Sequence, residues 1–479
     1  MLFNSFEFAV FFPLVAAVYF LLPHRWRWML LLGASYWFYM AWKAEYAVLL
    51  VISTLVDFTA ARGIAAASTS AGRKRWLLLS LFTNLGILIG FKYFNFLNGT
   101  LRDLFGAGWP IADLDVLLPM GISFYTFQTL SYTIDVYRRQ LEPTRDLGRF
   151  ALYVTFFPQL VAGPIERAPA LLPQFFREVR FDAARVTRGL KQMLWGFFKK
   201  LVIADRVAPI VDQVYNHPAD HDGITVIFAT ALFALQIYCD FSGYSDIAIG
   251  AARVLGFDLM ENFRTPYRSA SIREFWSRWH ISLSTWFRDY LYIPLGGNRV
   301  LKWRWYFNLF VVFLISGLWH GANWTFVLWG ALHGAYLVLA LVFAPFWRQA
   351  ERKLGVHRIP RTWRFLNVLV TGLLVLFSWM LFRANDIGDI GVMLARILDL
   401  RPDPSGLHAL FIELRSDVMI VTCGLALFFF LADPWADRFA KGEARSPGRW
   451  AEYGWYGLLL AATLLFGQYG RTEFIYFQF

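Results

Sequence analysis

The sequence predicts an all-α, polytopic integral membrane protein. Of 479 residues, 57% are hydrophobic and 19% aromatic, while only 17% are charged, against about 25% in a typical soluble domain. The apolar residues gather in blocks of about 15–25, the length a helix needs to cross a hydrocarbon core of about 30 Å. The alternating strands of about ten residues that mark a transmembrane barrel do not occur. Lipid offers no partners to an open backbone, so the spans must be helices.

Twelve candidate spans run over 5–22, 28–44, 46–67, 76–97, 115–136, 192–211, 223–255, 305–320, 323–346, 364–383, 417–432 and 450–468, which gives about 11–12 transmembrane helices. The first block, Phe6 to Leu22, has no basic stretch ahead of it and is followed by Pro23-His24-Arg25-Trp26-Arg27. It reads as a retained span, not a signal peptide. The loops sort by charge. Arg25 and Arg27 follow the first span, Arg73-Lys74-Arg75 the third, and Arg138-Arg139 the fifth. Arg348, Arg352, Lys353, Arg358, Arg361 and Arg364 fill one later loop, and Arg438, Lys441, Arg445 and Arg449 another. Alternate loops carry Asp103, Asp113 and Asp115, or Asp386, Asp389, Asp399 and Asp403. The positive-inside rule then places both termini outside.

Two segments break the alternation. Phe150 to Gly163 is too short to cross, contains Pro158 and ends in Gly163-Pro164, with basic stretches on both sides. It is expected to dip into the membrane and return, or to lie in the interface; a short core helix under a loop is the alternative. Phe263 to Trp305 mixes arginines with tryptophans and tyrosines, as interfacial segments do. No internal repeat is visible, and a transporter built from inverted halves would often show one. We expect one membrane-embedded domain over 1–479, with a catalytic core over 98–346 that includes the interfacial segment 263–305 on the cytoplasmic side.

The net charge of +12 fits basic loops facing anionic lipids better than a nucleic-acid partner. A basic surface could also attract an acidic protein or a phosphorylated donor. Cys239 and Cys423 lie inside apolar runs without a CxxC and are expected to be free buried thiols.

Candidate chemistry centres on "ISGLWHGANWTFVLWGALHG", residues 315–334. The span holding His320 has about 16 residues from Trp305, a rise of about 24 Å that falls short of a full crossing. The chain then breaks at Gly321-Ala322-Asn323. An ionisable residue at membrane depth is a functional candidate, although a neutral histidine hydrogen-bonded between helices would fit the same pattern. His333 is 13 residues on; along a continuous helix it would point away, about 20 Å distant. No HExxH occurs, so no metal site is expected, and His333 reads as structural. His280 lies in "FWSRWHISLSTWFRDYLY" beside Arg278, Ser282, Ser284, Arg288 and Asp289. His280 and Ser284 share a helix face at i, i+4, yet no GxSxG elbow is present. A purely interfacial amphipathic stretch is the alternative. Asp135, Asp240 and Asp246 sit in apolar runs. They could relay protons or ions, but holding helices together is preferred.

"FWSRWHISLSTWFRDYLYIPLGGNR", followed by "LISGLWHGANWTFVLWGALHG", resembles the membrane-bound O-acyltransferase family, in its bacterial alginate O-acetylation branch. "LPMGISFYTFQTLSYTIDVYR", "FFPQLVAGPIER", "QIYCDFSGYSDIAIG", "NFRTPYRSASIREFW", "MLFNSFEF" and "FIYFQF" resemble it too. The resemblance implies a fold of membrane helices plus re-entrant or interfacial helices around a central tunnel. It implies an O-acyltransferase of the bacterial inner membrane that carries an acetyl group from a cytoplasmic thioester donor, acetyl-coenzyme A, for O-acetylation of an exported polysaccharide such as alginate. His320 maps onto the family's catalytic histidine and would act as general base, with His280 binding or orienting a substrate or steadying the oxyanion. Trp319, Asn323, Ser282, Arg278, Arg288, Asp289 and Asn298 are candidate substrate-binding positions; no permanently bound cofactor and no metal are implied. Expected partners are membrane lipids, a periplasmic or membrane-anchored SGNH-type acetyltransferase and an acidic donor or carrier protein. Rival readings are a lipid-modifying or D-alanyl-type transferase of the same family, and a non-enzymatic polysaccharide or ion transporter.

Overall fold

The computed structural model describes residues 1–106, 109–399, 406, 410, 416–442, 448–469, 474 and 475. Asp403, His408, Arg445 and the last four residues of the FIYFQF motif lie outside the described residues. The described chain is largely helical, and the twelve apolar blocks lie mainly on helix; the block at 115–136 is an exception in its first part, since the helix there begins only at Ile122. Among the described residues, six helices are both long and apolar enough to cross a membrane: Ala44–Ala66, Ser70–Phe105, Gly223–Leu255, Trp324–Lys353, Pro360–Arg383 and Met419–Ala440.

The chain divides into two compact units, Met1–Phe197 with Tyr244–Glu261, and Phe198–Gly243 with Asn262–Ile475. In the first, α1 (Phe6–Leu21) is capped by Ser5, whose hydroxyl accepts from Phe8 N at 3.2 Å. Next come α2 (His24–Met40), α3 (Ala47–Ala66) and α4 (Ser70–Leu88). A wider turn at Ile89–Tyr93 carries α4 into α5 (Phe94–Phe105), and α6 spans Ile122–Tyr137. A buried polar cluster joins three of these helices. Asn84 of α4 donates to Asp57 of α3 at 2.9 Å, and Thr133 of α6 donates to the same carboxylate at 3.2 Å. Neutral donors around a carboxylate hold helices together where apolar surface gives no preference for protein over lipid.

The segment after Phe150 is a short helix, α7 (Leu147–Thr155), followed by irregular backbone to Gly163, almost all of it buried. It includes the short core helix of the alternative reading, followed by buried non-helical backbone. Such backbone persists away from water only when its groups find partners. Gln128 and Gln159 both donate to Tyr153 O, at 2.6 and 2.9 Å, and Ser35 accepts from Phe157 N at 3.0 Å. Helices α8 (Ala168–Leu171) and α9 (Ala183–Phe197) follow.

The second unit contains α10 (Asp205–Asn216), the part of α11 (Gly223–Leu255) up to Gly243, two short helices α12 (Ile272–Arg278) and α13 (Ile281–Phe287), and a hairpin of α14 (Lys302–His320) and α15 (Trp324–Lys353). Helices α16 (Pro360–Arg383), α17 (Ile387–Leu398), α18 (Ser416–Ala440) and α19 (Arg449–Phe466) complete it. The hairpin closes because two glycines face each other. A Cβ on Gly317 would lie 2.2 Å from Phe326 O, and one on Gly330 would lie 2.4 Å from Phe313 O. Helix α14 starts one turn earlier than expected, at Lys302. Its 19 residues rise about 28 Å, so the expected shortfall in span nearly disappears.

Candidate active site

His320 is the last residue of α14, and the break comes where expected. Gly321 is extended, and Asn323 caps α15 by accepting from Thr325 N at 3.1 Å. The Asn323 amide also donates to Asn385 O at 2.8 Å. These bonds engage Asn323 in holding the turn.

The return of the chain corrects one expectation. His320 and His333 do not diverge along a continuous helix. Because α14 and α15 are antiparallel, both imidazoles meet the Trp329 indole, with ring centroids 5.0 and 4.9 Å away. His333 Nδ1 accepts from Trp276 Nε1 at 3.2 Å and its Nε2 contacts Ser378 Oγ at 3.0 Å. With both ring nitrogens occupied by protein groups, His333 is a structural pin. His320 is 2% exposed and lies within an aromatic wall of Trp319, Trp329 and Phe382 at centroid distances of 5.0, 5.0 and 5.5 Å.

His280 faces His320. The two rings lie edge to face with centroids 6.4 Å apart. His280 is fully buried at the start of α13, with φ 44° and ψ 56°. A left-handed backbone is uncommon outside glycine, and a bulky residue holds it only where its surroundings over-determine it. The determinant is Asn262. Its Oδ1 accepts from Ser282 N at 3.2 Å and from Ser282 Oγ at 2.9 Å, and lies 3.2 Å from His280 Nδ1. Asn262 O also accepts from Ile281 N at 3.0 Å.

This network assigns a tautomer. The backbone N–H of Ser282 can only donate, so the Asn262 atom it meets is the oxygen. Nδ1 of His280 must then carry the proton, which leaves the lone pair on Nε2. Burial pulls the His280 pKa down to about 3, so the ring is neutral. A neutral ring with its proton committed to Asn262 cannot donate from Nε2 to an oxyanion. It can accept a hydrogen bond or a proton there. Ser282 donates its own proton to Asn262 and is not activated as a nucleophile.

The remaining candidates scatter. Arg278 pairs with Glu274 at 2.7 Å. Arg288 pairs with its neighbour Asp289 at 2.8 Å in a largely exposed position, and Asn298 is exposed. Phe241, which sequence reasoning passed over, packs edge-on against His280 at 4.6 Å. Behind it, buried Lys200 pairs with Asp205 at 2.8 Å and Asp240 at 2.7 Å. Asp240 also accepts from Ile475 N at 2.8 Å, and Phe474 packs on Phe241 at 5.5 Å. Asp240 therefore joins helix to helix and to the C-terminal segment, the structural role preferred from its setting. Asp246 likewise accepts from Gln192 at 2.8 Å.

Comparison with known proteins agrees with this architecture. The model of the membrane-bound O-acyltransferase family matches residues 144–382, which contain His280 and His320. The chain is 43% identical to a probable alginate O-acetylase AlgI of Azotobacter vinelandii, over 80% of this chain and 75% of that protein. It is 35% identical to a peptidoglycan O-acetyltransferase of Helicobacter pylori, over 77% and 72% of the two chains. A teichoic acid D-alanyltransferase of Bacillus subtilis is 27% identical over 55% of this chain and 68% of its own length.

Proposed function

The chain belongs to the membrane-bound O-acyltransferase family, and from that premise we propose that this acyltransferase moves an acetyl group from cytoplasmic acetyl-coenzyme A for O-acetylation of an exported polysaccharide. Alginate is the first candidate polymer, because the O-acetylase similarity extends over most of the chain. The bacterial inner membrane, where a cytoplasmic thioester and an outward-bound polymer meet, is the setting.

The observation that carries the chemistry is the pair of buried imidazoles, 6.4 Å apart between centroids. His320 takes the proton of the acceptor hydroxyl as its oxygen attacks the thioester carbonyl. The tetrahedral intermediate collapses, the C–S bond breaks, and the imidazolium returns the proton to the departing thiolate. An ester and coenzyme A result. His280, with its tautomer held by Asn262, presents the Nε2 lone pair and accepts from a donor other than the reacting hydroxyl, such as a neighbouring hydroxyl of the acceptor, which fixes the acceptor's orientation. The aromatic wall excludes water, which would otherwise hydrolyse the thioester. An SGNH-type partner outside the membrane would complete delivery to the polymer, and an acidic carrier protein is the alternative donor that the basic cytoplasmic loops would accept.

The test is transfer of label from acetyl-coenzyme A in membrane vesicles. A transferase moves label to a hydroxyl acceptor, and His320→Ala abolishes this at unchanged protein level. Label that stays on coenzyme A, or transfer unaffected by His320→Ala, would refute the reading.

A further inference from the structure

A second site lies away from the histidines, where the end of α15 meets the start of α16. A cleft of about 430 Å³ is lined there by Arg348, Glu351, Arg352, Trp363, Arg364 and Asn367, among others. The loop is one of the basic ones that the positive-inside rule places in the cytoplasm.

The carboxylate in the lining, Glu351, and Glu274 outside it are both engaged. Glu351 accepts from Trp363 Nε1 at 3.0 Å. Glu274 is shared by Arg278 at 2.7 Å and Arg364 at 3.5 Å. Among the described residues neither Arg348 nor Arg352 forms an ion pair; Arg348 Nε donates only to Ala344 O of its own helix, at 3.3 Å. The cleft therefore presents two guanidinium groups, Arg348 and Arg352, with no ion-pair partner among the described residues, and a third, Arg364, shared with Glu274; guanidinium groups are the side chains that best match phosphate oxygens.

Exposed apolar residues next to the lining in sequence indicate what carries the phosphate. Phe346, Trp347, Leu354 and Phe365 are 67%, 52%, 70% and 66% exposed. Trp347 stacks on Trp363 at 6.1 Å, as aromatic residues do at the level of lipid headgroups. A ligand with an anionic phosphate and an apolar tail matches a cationic cleft with exposed apolar neighbours. A soluble nucleotide matches only the first half.

We propose that the α15–α16 cleft binds the phosphate headgroup of an anionic phospholipid of the cytoplasmic leaflet, with its acyl chains against Phe346, Trp347 and Phe365. The proposal does not depend on the acetyl-transfer reading.

The test uses the full chain in nanodiscs of phosphatidylcholine with a minor share of phosphatidylglycerol. Native mass spectrometry then counts the phosphatidylglycerol that stays bound. In Arg348→Gln/Arg352→Gln/Arg364→Gln retention should fall roughly five-fold for each of the unpaired Arg348 and Arg352, and less for Arg364, which Glu274 already shares. The matching lysine variant, which keeps the charges, should retain the lipid, and Arg449→Gln in another basic loop should not alter it. Unchanged retention in the glutamine variant overturns the proposal. So does an equal loss in Arg449→Gln, which would mean diffuse surface charge. Displacement of phosphatidylglycerol by added coenzyme A also overturns it, since the cleft would then serve nucleotide phosphates. If the triple variant aggregates in gel filtration, Arg352→Gln and Arg352→Lys provide the same comparison.

Discussion

Nδ1 of His280 lies 3.2 Å from Oδ1 of Asn262, 18 positions earlier in the chain. The contact both orients the ring and decides which nitrogen is basic.

Asn262→Ala removes this acceptor and frees the tautomer. Transfer from acetyl-coenzyme A should fall about 10–100-fold, the usual penalty for losing a group that fixes a histidine. Asn262→Asp keeps the acceptor and adds a negative charge. That charge raises the His280 pKa above about 3, so the acid limb of the pH–rate profile should move to higher pH. An unmoved limb would mean that His280 does not titrate in the reaction.

Removing the proposed base should be severe. His320→Gln should lower transfer by about 10²–10⁴-fold, with near-normal protein in the membrane fraction. Initial rates of label transfer normalised to protein level provide the measurement.

Gly317→Leu should separate α14 from α15, because its first side-chain carbon would meet Phe326 O at 2.2 Å. Overpacking of this kind costs about 1–3 kcal/mol. The detergent-solubilised protein should show a lower Tm, while Gly33→Leu, where a Cβ meets nothing within 4 Å, should not.

Lys200→Met removes a cation shared by Asp205 and Asp240. Breaking a buried ion pair costs about 3–5 kcal/mol, so both Tm and yield should fall. The variant Lys200→Met/Asp205→Leu/Asp240→Asn should recover part of the loss. A triple variant no better than the single would show that the carboxylates are not the cause.

Burial raises Glu166, in the return after α7, from the usual 4.5 to about 7. The folded form then binds more protons than the unfolded one between those values, so stability should fall as pH rises from 4.5 to about 7. Glu166→Gln should flatten that dependence and melt higher than the parent above pH 7. Thermal melts across the range check the sign.

The parts of this architecture that are readable from sequence are the local ones. Apolar block length locates the helices, and Gly321-Ala322-Asn323 marks the turn that leaves His320 at a helix end. Trp319 is found with it because the two are neighbours in sequence. Asn262 was not singled out, since a side-chain amide that meets a histidine 18 residues later has no periodicity to betray it. The approach of His320 and His333 to one indole was misread for a related reason: the rotation per residue describes one helix, and the chain reverses between them. Arg288 and Asp289 read as substrate groups by type alone, and they satisfy each other. Nothing in the apolar run around Asp240 names Lys200, forty positions earlier, as its partner.

His280 holds its left-handed backbone whatever its ring does, which limits how the position can be interrogated. Asparagine and glycine accept that conformation readily, whereas a β-branched residue would oppose it. A loss of turnover in His280→Val would therefore mix missing chemistry with a displaced α13. His280→Asn leaves the main chain at ease, and its deficit can be read as the imidazole's own.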